Sequence, residues 1–481
     1  MSEEIGPFST ATQMLAALRA AEVSSRELVE LHVDRIEKFD PQLNSIAVPT
    51  VDRARAAAVA ADERRAGGDD APLLGLPMTL KESTLIEGMP QSAGVVELKE
   101  HVGAADGPVA RDVFAAGACL LGTTNVPVAL GDWQANSPNY GRTSNPWDLD
   151  RTPGGSTGGG GAALAAGLTP LEVGSDIGGS IRVPAAYCGV YGHRPSETAI
   201  PRAGSFPLAD HPNPAAVLGV QGPLARSALD LELLFDVIAG PEVGEASGWK
   251  LDLPPARHDR LADFRVAVMP PNPWVQPSAA MGAAVDALVS FVGDAGCRVD
   301  DAMPALDVDQ YAGDYSILLS WRTSQGMGRD KREEMAARFA ARGDPLSAAQ
   351  GLGLVIDAAD LLAVLDRREA ARAQWRAFYE DWDVLVGPMA LDAAFPHEDR
   401  PWEDRTIDVD GTAVPYTFNI VYPMWAIFAG QPSTAFPAGL SLDGLPLGLQ
   451  VIGPYLEDRT TLRFAQLLER EWKAFTPPPG Y

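Results

Sequence analysis

The stretch GGSTGGGGAALAAGLTPLEVGSDIGGSIRVPAAYCGVYGHRPS, residues 154–196, holds the chain's most distinctive chemistry. It opens on a glycine run, Gly154 to Gly161, interrupted only by Ser156 and Thr157. A glycine-rich backbone lets N–H groups approach a ligand closely. A phosphate loop would need Gly-Lys-Ser/Thr, and no lysine lies between residues 100 and 249. Gly154-x-Ser156-x-Gly158 has the spacing of a nucleophile elbow, yet an elbow directly follows a strand. Here turn-forming residues, Asn145 to Pro153, precede it, and the later His258 and His397 sit in polar surroundings. Further on, Gly178-Gly179-Ser180 permits a tight turn with several N–H groups facing one point. Such a nest is a natural oxyanion hole, and Ser180 would sit among its own stabilising donors. A serine nucleophile needs a base. His193 is near in sequence, and a histidine from elsewhere or a desolvated lysine would also serve.

Outward from this stretch, Lys81 follows the apolar run Leu73 to Leu80, which reads as a buried strand. It is one of only six lysines among 38 basic residues. A lysine at the end of a buried strand lies where α/β sites gather. The alternative is a solvated strand-end lysine.

Residues 9–39 read as two helices, capped by Ser9 or Thr10 and by Ser24 or Ser25, with Pro41 as the stop. His32 falls beside the apolar stripe of the second and reads as a packing residue. A third helix covers about 50–66 and ends at Gly67-Gly68. Residues 108–118 read as a helix and 119–122 as a strand. The stretch 131–161 is mostly loop, a length that in a compact domain points to function. Residues 264–303 read as a βαβ unit, 331–382 as a long helical stretch and 383–388 as a buried strand. Short strands follow over 435–452, and a helix over about 458–474 closes the chain. This alternation predicts an α/β fold with a mostly parallel or mixed sheet.

The chain has 481 residues, a length at which two to four domains or one large α/β domain are open. Its charged groups, 38 basic against 64 acidic, leave a net charge of −26. So acidic a surface repels phosphate backbones and anionic membranes. The acidic start MSEEIGPFST lacks the basic and apolar regions of a signal peptide, and no apolar stretch is long enough to span a bilayer. Three widely spaced cysteines (Cys119, Cys188, Cys297) suit a reducing, cytoplasmic setting, and Cys188 reads as a core residue. The six histidines form no zinc motif.

The block 154–196 closely resembles the signature of the amidase signature family of serine hydrolases, including the spacing of 24 residues between Ser156 and Ser180. Lys81 in GLPMTLKES resembles that family's strand-end lysine. The likeness extends through residues 25–48, 122–156, 383–389 and 430–454, and is weakest between about 200 and 380. It implies one large α/β domain over residues 1–481: a twisted mixed sheet covered by helices on both faces. Within it would lie N-terminal helices at about 9–66, the signature core at about 70–230, a pocket-shaping region at about 260–430 and C-terminal strands and helix at about 431–474.

The resemblance further implies a Ser–cis-Ser–Lys triad. Ser180 would be the nucleophile, Ser156 the bridging serine after a cis Gly155–Ser156 bond, and Lys81 the neutral base. The N–H groups of Ile177, Gly178, Gly179 and Ser180 would receive the oxyanion. Leu130, Gly131 and Asp132 match the loop that lines the acyl pocket, with Trp133 and Tyr140 as pocket or core aromatics. Asp176 and Arg182 would brace the signature turn. No metal or organic cofactor is implied. The expected partner is a small-molecule amide, with no nucleic acid or membrane, and the chain would be a monomer or homodimer. The aromatics Trp321, Trp402, Tyr416, Phe418, Tyr422, Trp425 and Phe428 hint at an apolar acyl or amine group, unless they are core. Aryl acylamides and carbamates fall within the class.

Departures are few. Glu82 stands where the family commonly has aspartate, Thr157 where a second serine is usual, and Gly192-His193-Arg194-Pro195-Ser196 replaces Gly-Leu-Lys-Pro-Thr. Together with Ile177, where the glutamine-hydrolysing subunit of the tRNA-dependent transamidation complex usually has threonine, they speak against that alternative. A non-catalytic protein with the amidase fold is the third possibility.

Overall fold

The computed structural model of the chain describes residues 5–209, 211 and 217–481. Residues 1–4, at the acidic start, and residues 210 and 212–216, within the expected signature core at about 70–230, lie outside the described residues.

Among the described residues, eleven strands form one mixed sheet. Across it they run Ile46–Pro49, Cys119–Thr124, Pro77–Lys81, Leu171–Asp176, Val220–Ala225, Tyr191–Arg194, Ser433–Leu440, Pro446–Ile452, Val384–Pro388, Arg265–Val268 and Arg298–Asp301. Two runs are parallel: Cys119–Thr124, Pro77–Lys81 and Leu171–Asp176 at one side, and Val384–Pro388, Arg265–Val268 and Arg298–Asp301 at the other. The strands between them pair antiparallel.

Side chains alternate across a strand, and here they feed two separate cores. Val266, Val384 and Val386 point into one, with Leu231, Phe235 and Phe464. Ala267 and Leu385 point into the other, with Tyr311, Trp375 and Phe428. Helices therefore cover both faces, as expected.

The caps read from sequence are present. Thr10 forms a capping box with Gln13, and Ser24 one with Glu27. His32 is fully buried, and its Nδ1 meets the Leu28 carbonyl at 2.9 Å. The 264–303 unit is strand, helix and parallel strand. Cys188 is a buried core residue.

Three expectations need correction. Pro41 does not stop its helix, which runs Ser25–Leu43 and ends at Asn44 with φ +54°. A proline so near a helix end removes one hydrogen bond, and the left-handed asparagine supplies the cap. The 331–382 stretch is three helices, Arg329–Ala340, Pro345–Val355 and Ala358–Asp381. Gly343, Pro345 and the Asp344 and Asp357 caps break it. The 131–161 loop ends early, at the helix Gly158–Ala165. Four glycines make this a poor helix by propensity, about 1 kcal/mol each relative to alanine. Burial of every residue from Gly158 to Ala165 retains it.

Candidate active site

The parallel strands Pro77–Lys81 and Leu171–Asp176 end at the same edge of the sheet. Lys81 closes the first and Asp176 the second. Beyond that edge lie the turn from Ile177 to Ile181 and the start of the Gly158–Ala165 helix. A close approach permits this: a Cβ at Gly155 would fall 2.4 Å from the carbonyl oxygens of Asp132 and Gln134. The Gly155–Ser156 peptide is cis, as the resemblance implied.

Lys81 is 1% exposed. Its Nζ lies 2.8 Å from Ser156 Oγ, 3.0 Å from Thr157 Oγ1 and 3.0 Å from Ser175 Oγ. Burial pushes its pKa down to about 7, against the opposing pull of Glu172 and Asp176. A neutral amine has two donor hydrogens and one lone pair. Three surrounding hydroxyls match that inventory, with two accepting and one donating. Glu172 lies on the neighbouring strand, opposite Thr79. It is fully buried and accepts from Thr124 Oγ1 at 2.7 Å, while its Oε2 has no hydrogen-bond partner among the described residues. Burial pushes its pKa up to about 7, against threonine hydroxyls and Lys81. Both groups are thus driven toward their neutral forms.

Ser180 is 6% exposed, and its carbonyl accepts from the Thr157 N–H at 3.2 Å. That bond ties the Ser156 segment to the Ser180 turn. Asp176 braces the turn as expected: its carboxylate accepts from Gly179 N–H at 2.9 Å, Ile181 N–H at 3.3 Å and Arg182 Nε at 3.0 Å. Burial raises the Asp176 pKa, but Arg182 and Arg194 prevail and hold it low. Of the four expected oxyanion donors, Gly179 therefore directs its N–H to Asp176.

The acyl-loop residues differ from one another. Gly131 is exposed, and Leu130 is half-buried with φ +57°. The Asp132 carboxylate accepts from Arg405 Nη1 and Tyr416 Oη, both at 2.6 Å. Trp133, the next residue, donates its Nε1–H to Gly178 O at 2.8 Å, which sets this loop against the turn. Tyr140 donates to Glu82 at 2.8 Å, and Glu82 also accepts from the N–H groups of Ser92 and Ala93. Of the seven aromatics expected to shape an apolar pocket, Tyr416, Tyr422, Trp425 and Phe428 are buried core residues. Trp425 and Phe428 pack on Tyr311. Trp321, Trp402 and Phe418 are half-buried. Among the described residues no cluster of three His, Cys, Asp or Glu side chains could hold a metal ion. Nor is any described helix long and apolar enough to cross a membrane.

Sequence reading did not single out Ser175, Glu172 or Tyr315. For Glu172 a signal was present: one acid inside the otherwise apolar run Leu171-Glu172-Val173.

Comparison with known proteins agrees with this fold. The sequence profile of the amidase family matches residues 27–462. An indoleacetamide hydrolase of Bradyrhizobium diazoefficiens is 31% identical over 93% of this chain and 84% of its own length. A glutamyl-tRNA(Gln) amidotransferase subunit of Chromohalobacter salexigens is 32% identical over 98% of each chain. A solved vestigial protein complex, bearing on the origins of an s-triazine catabolic enzyme, superposes with a TM-score of 0.82 at 29% identity, covering 97% of this chain and 99% of that one. Fold and relatives together define an amide-hydrolysing enzyme. The chain belongs to the amidase signature family.

Proposed function

We propose that this enzyme cleaves the C–N bond of a small organic amide through an acyl-enzyme on Ser180, with Ser156 and Lys81 as the proton relay. The observation that carries this is Lys81 Nζ, buried and 2.8 Å from Ser156 Oγ. Lys81 takes the proton of Ser156, Ser156 takes that of Ser180, and Ser180 Oγ attacks the carbonyl carbon. The N–H groups of Ile177, Gly178 and Ser180 stabilise the oxyanion, with Gly179 held back by Asp176. The proton returns through Ser156 to the leaving nitrogen as the C–N bond breaks. Water then hydrolyses the acyl-enzyme by the same relay, giving a carboxylic acid and ammonia or an amine. Leu130, Gly131 and Asp132 flank the acyl group. Gly131 is exposed and Leu130 half-buried in the loop that Trp133 ties to the turn, which supports this for two of them, and Asp132 acts by fixing the loop to Arg405 and Tyr416. The relay calls on no metal or organic cofactor.

The likeness to an amidotransferase subunit favours a second reading, glutamine hydrolysis within a larger assembly. Ile177 and the −26 surface weigh against it. A substrate panel separates the two. The purified chain alone is expected to release amine or ammonia from at least one of aliphatic amides, anilides, arylacetamides such as indoleacetamide, amino-acid amides and carbamates. Glutamine should be no better than a simple aliphatic amide. Hydrolysis of glutamine alone, or turnover only after partner chains are added, would favour the second reading.

A further inference from the structure

Each oxyanion donor is one end of a peptide unit whose other end is a carbonyl. The unit is planar, with its N–H and C=O pointing in opposite directions. The carbonyl paired with the Ile177 N–H is that of Asp176, and it accepts from Arg194 Nη1 at 2.9 Å. The carbonyl paired with the Gly178 N–H is that of Ile177, and it accepts from Tyr315 Oη at 2.9 Å. The carbonyl paired with the Gly179 N–H is that of Gly178, and it accepts from Trp133 Nε1 at 2.8 Å. The Gly179 carbonyl, paired with the Ser180 N–H, accepts from the Val183 N–H at 2.7 Å. Four consecutive carbonyls are thus held from behind, three of them by side chains from separate elements: a strand, the helix Val308–Thr323 and the 131–134 loop.

All three side chains are buried. Arg194 is fully buried, yet its Nε and Nη2 find no hydrogen-bond partner among the described residues. Asp176 already has a two-pronged partner in Arg182, and the nearest Arg194 contact to its carboxylate is 3.9 Å. The closest polar contact of Arg194 is a peptide carbonyl. A Cβ at Gly178 would meet nothing nearer than Tyr315 Oη, at 3.8 Å.

We infer that Tyr315 and Arg194 are positioning residues that aim the Gly178 and Ile177 oxyanion donors and, by drawing charge onto the carbonyl ends, strengthen them. This rests on the acyl-enzyme reading above. Hydrogen bonds in a chain polarise one another, so a donor behind the carbonyl makes the N–H in front a better donor. The effect is small in the ground state and grows as negative charge develops on the substrate oxygen, which is where catalysis gains.

Tyr315→Phe removes one hydroxyl and keeps the ring. With p-nitrophenyl butyrate as probe, kcat is expected to fall about 10- to 100-fold, somewhat less than loss of a direct oxyanion donor. KM should change less than about threefold, as for an interaction made mainly in the transition state. Affinity for an aryl trifluoromethyl ketone, which forms a tetrahedral adduct with a serine, should fall by the same factor as kcat/KM. Arg194→Lys, which keeps a cation but loses the guanidinium bond to the Asp176 carbonyl, should behave likewise and serves if Tyr315→Phe does not fold. A folded variant with unchanged kcat and inhibitor affinity would overturn the inference, as would a rise in KM alone. Ser180→Ala measured alongside separates the two levels. Activity retained there removes the acyl-enzyme reading itself, whereas an inactive Ser180→Ala beside a fully active Tyr315→Phe removes only the positioning role.

Discussion

Ser180→Ala is expected to lower amide turnover by at least about 10⁴-fold while leaving the thermal midpoint near that of the parent chain. The side chain is small, and the structural contribution comes from its backbone, which accepts from Thr157 N–H at 3.2 Å. Alanine keeps that bond. The N–H donors, the Asp176 brace and the Lys81 cluster all survive the change. What disappears is the atom that forms the acyl bond. Two measurements check this. Steady-state release of amine from the best panel substrate gives the rate, and mass spectrometry after a p-nitrophenyl ester shows an acyl group on the parent chain but none on the variant. Turnover within tenfold of the parent would remove Ser180 as nucleophile. Ser156→Ala should also be inactive, since it cuts the relay between Lys81 and Ser180.

How much of this was legible beforehand differs by the range of the interactions involved. Capping boxes at Thr10 and Ser24 and the 264–303 unit depend on neighbours in sequence, and these read correctly. The sheet order does not. Residues 192–194 pair with 433–435, a choice made by long-range packing that no local pattern encodes. Pro41 misled because a helix tolerates proline where little helix remains beyond it. At the site, composition picked out no base; the resemblance pointed to Lys81, and the fold then places that side chain among three hydroxyls. Thr157 illustrates the limit. In sequence it was a departure from the usual second serine; in space it keeps a hydroxyl 3.0 Å from Lys81 Nζ, so the substitution preserves the contact. Tyr315, Trp133 and Arg194 lie far apart in sequence, and nothing short of the folded turn reveals that they converge.

Lys81→Met is expected to cost at least about 10³-fold in rate, because Ser156 then has no group to take its proton. In the parent chain, kcat/KM should rise with pH through about 7 and level above it. Burial pushes the Lys81 pKa down to about 7, and only the neutral amine can accept the proton. Glu172 is driven up to about 7 on the next strand, so the acid limb belongs to the pair. The sign is testable through Glu172→Gln. Its negative charge favours the ammonium form, so its removal should move the acid limb to lower pH. A limb that moves up, or does not move, would separate Glu172 from the base. Stability should carry the same signature. The unfolded chain holds the Lys81 proton up to about 10.5 and the folded chain only up to about 7. Between those values the unfolded state binds more protons, so this residue's contribution to stability rises with pH and its burial penalty is full below about 7. Lys81→Met removes the penalty and the slope together. The parent should therefore gain thermal midpoint relative to the variant between pH 7 and pH 10. An equal difference at both pH values would mean that Lys81 is not depressed in the folded chain, and the neutral-base mechanism would fall with it.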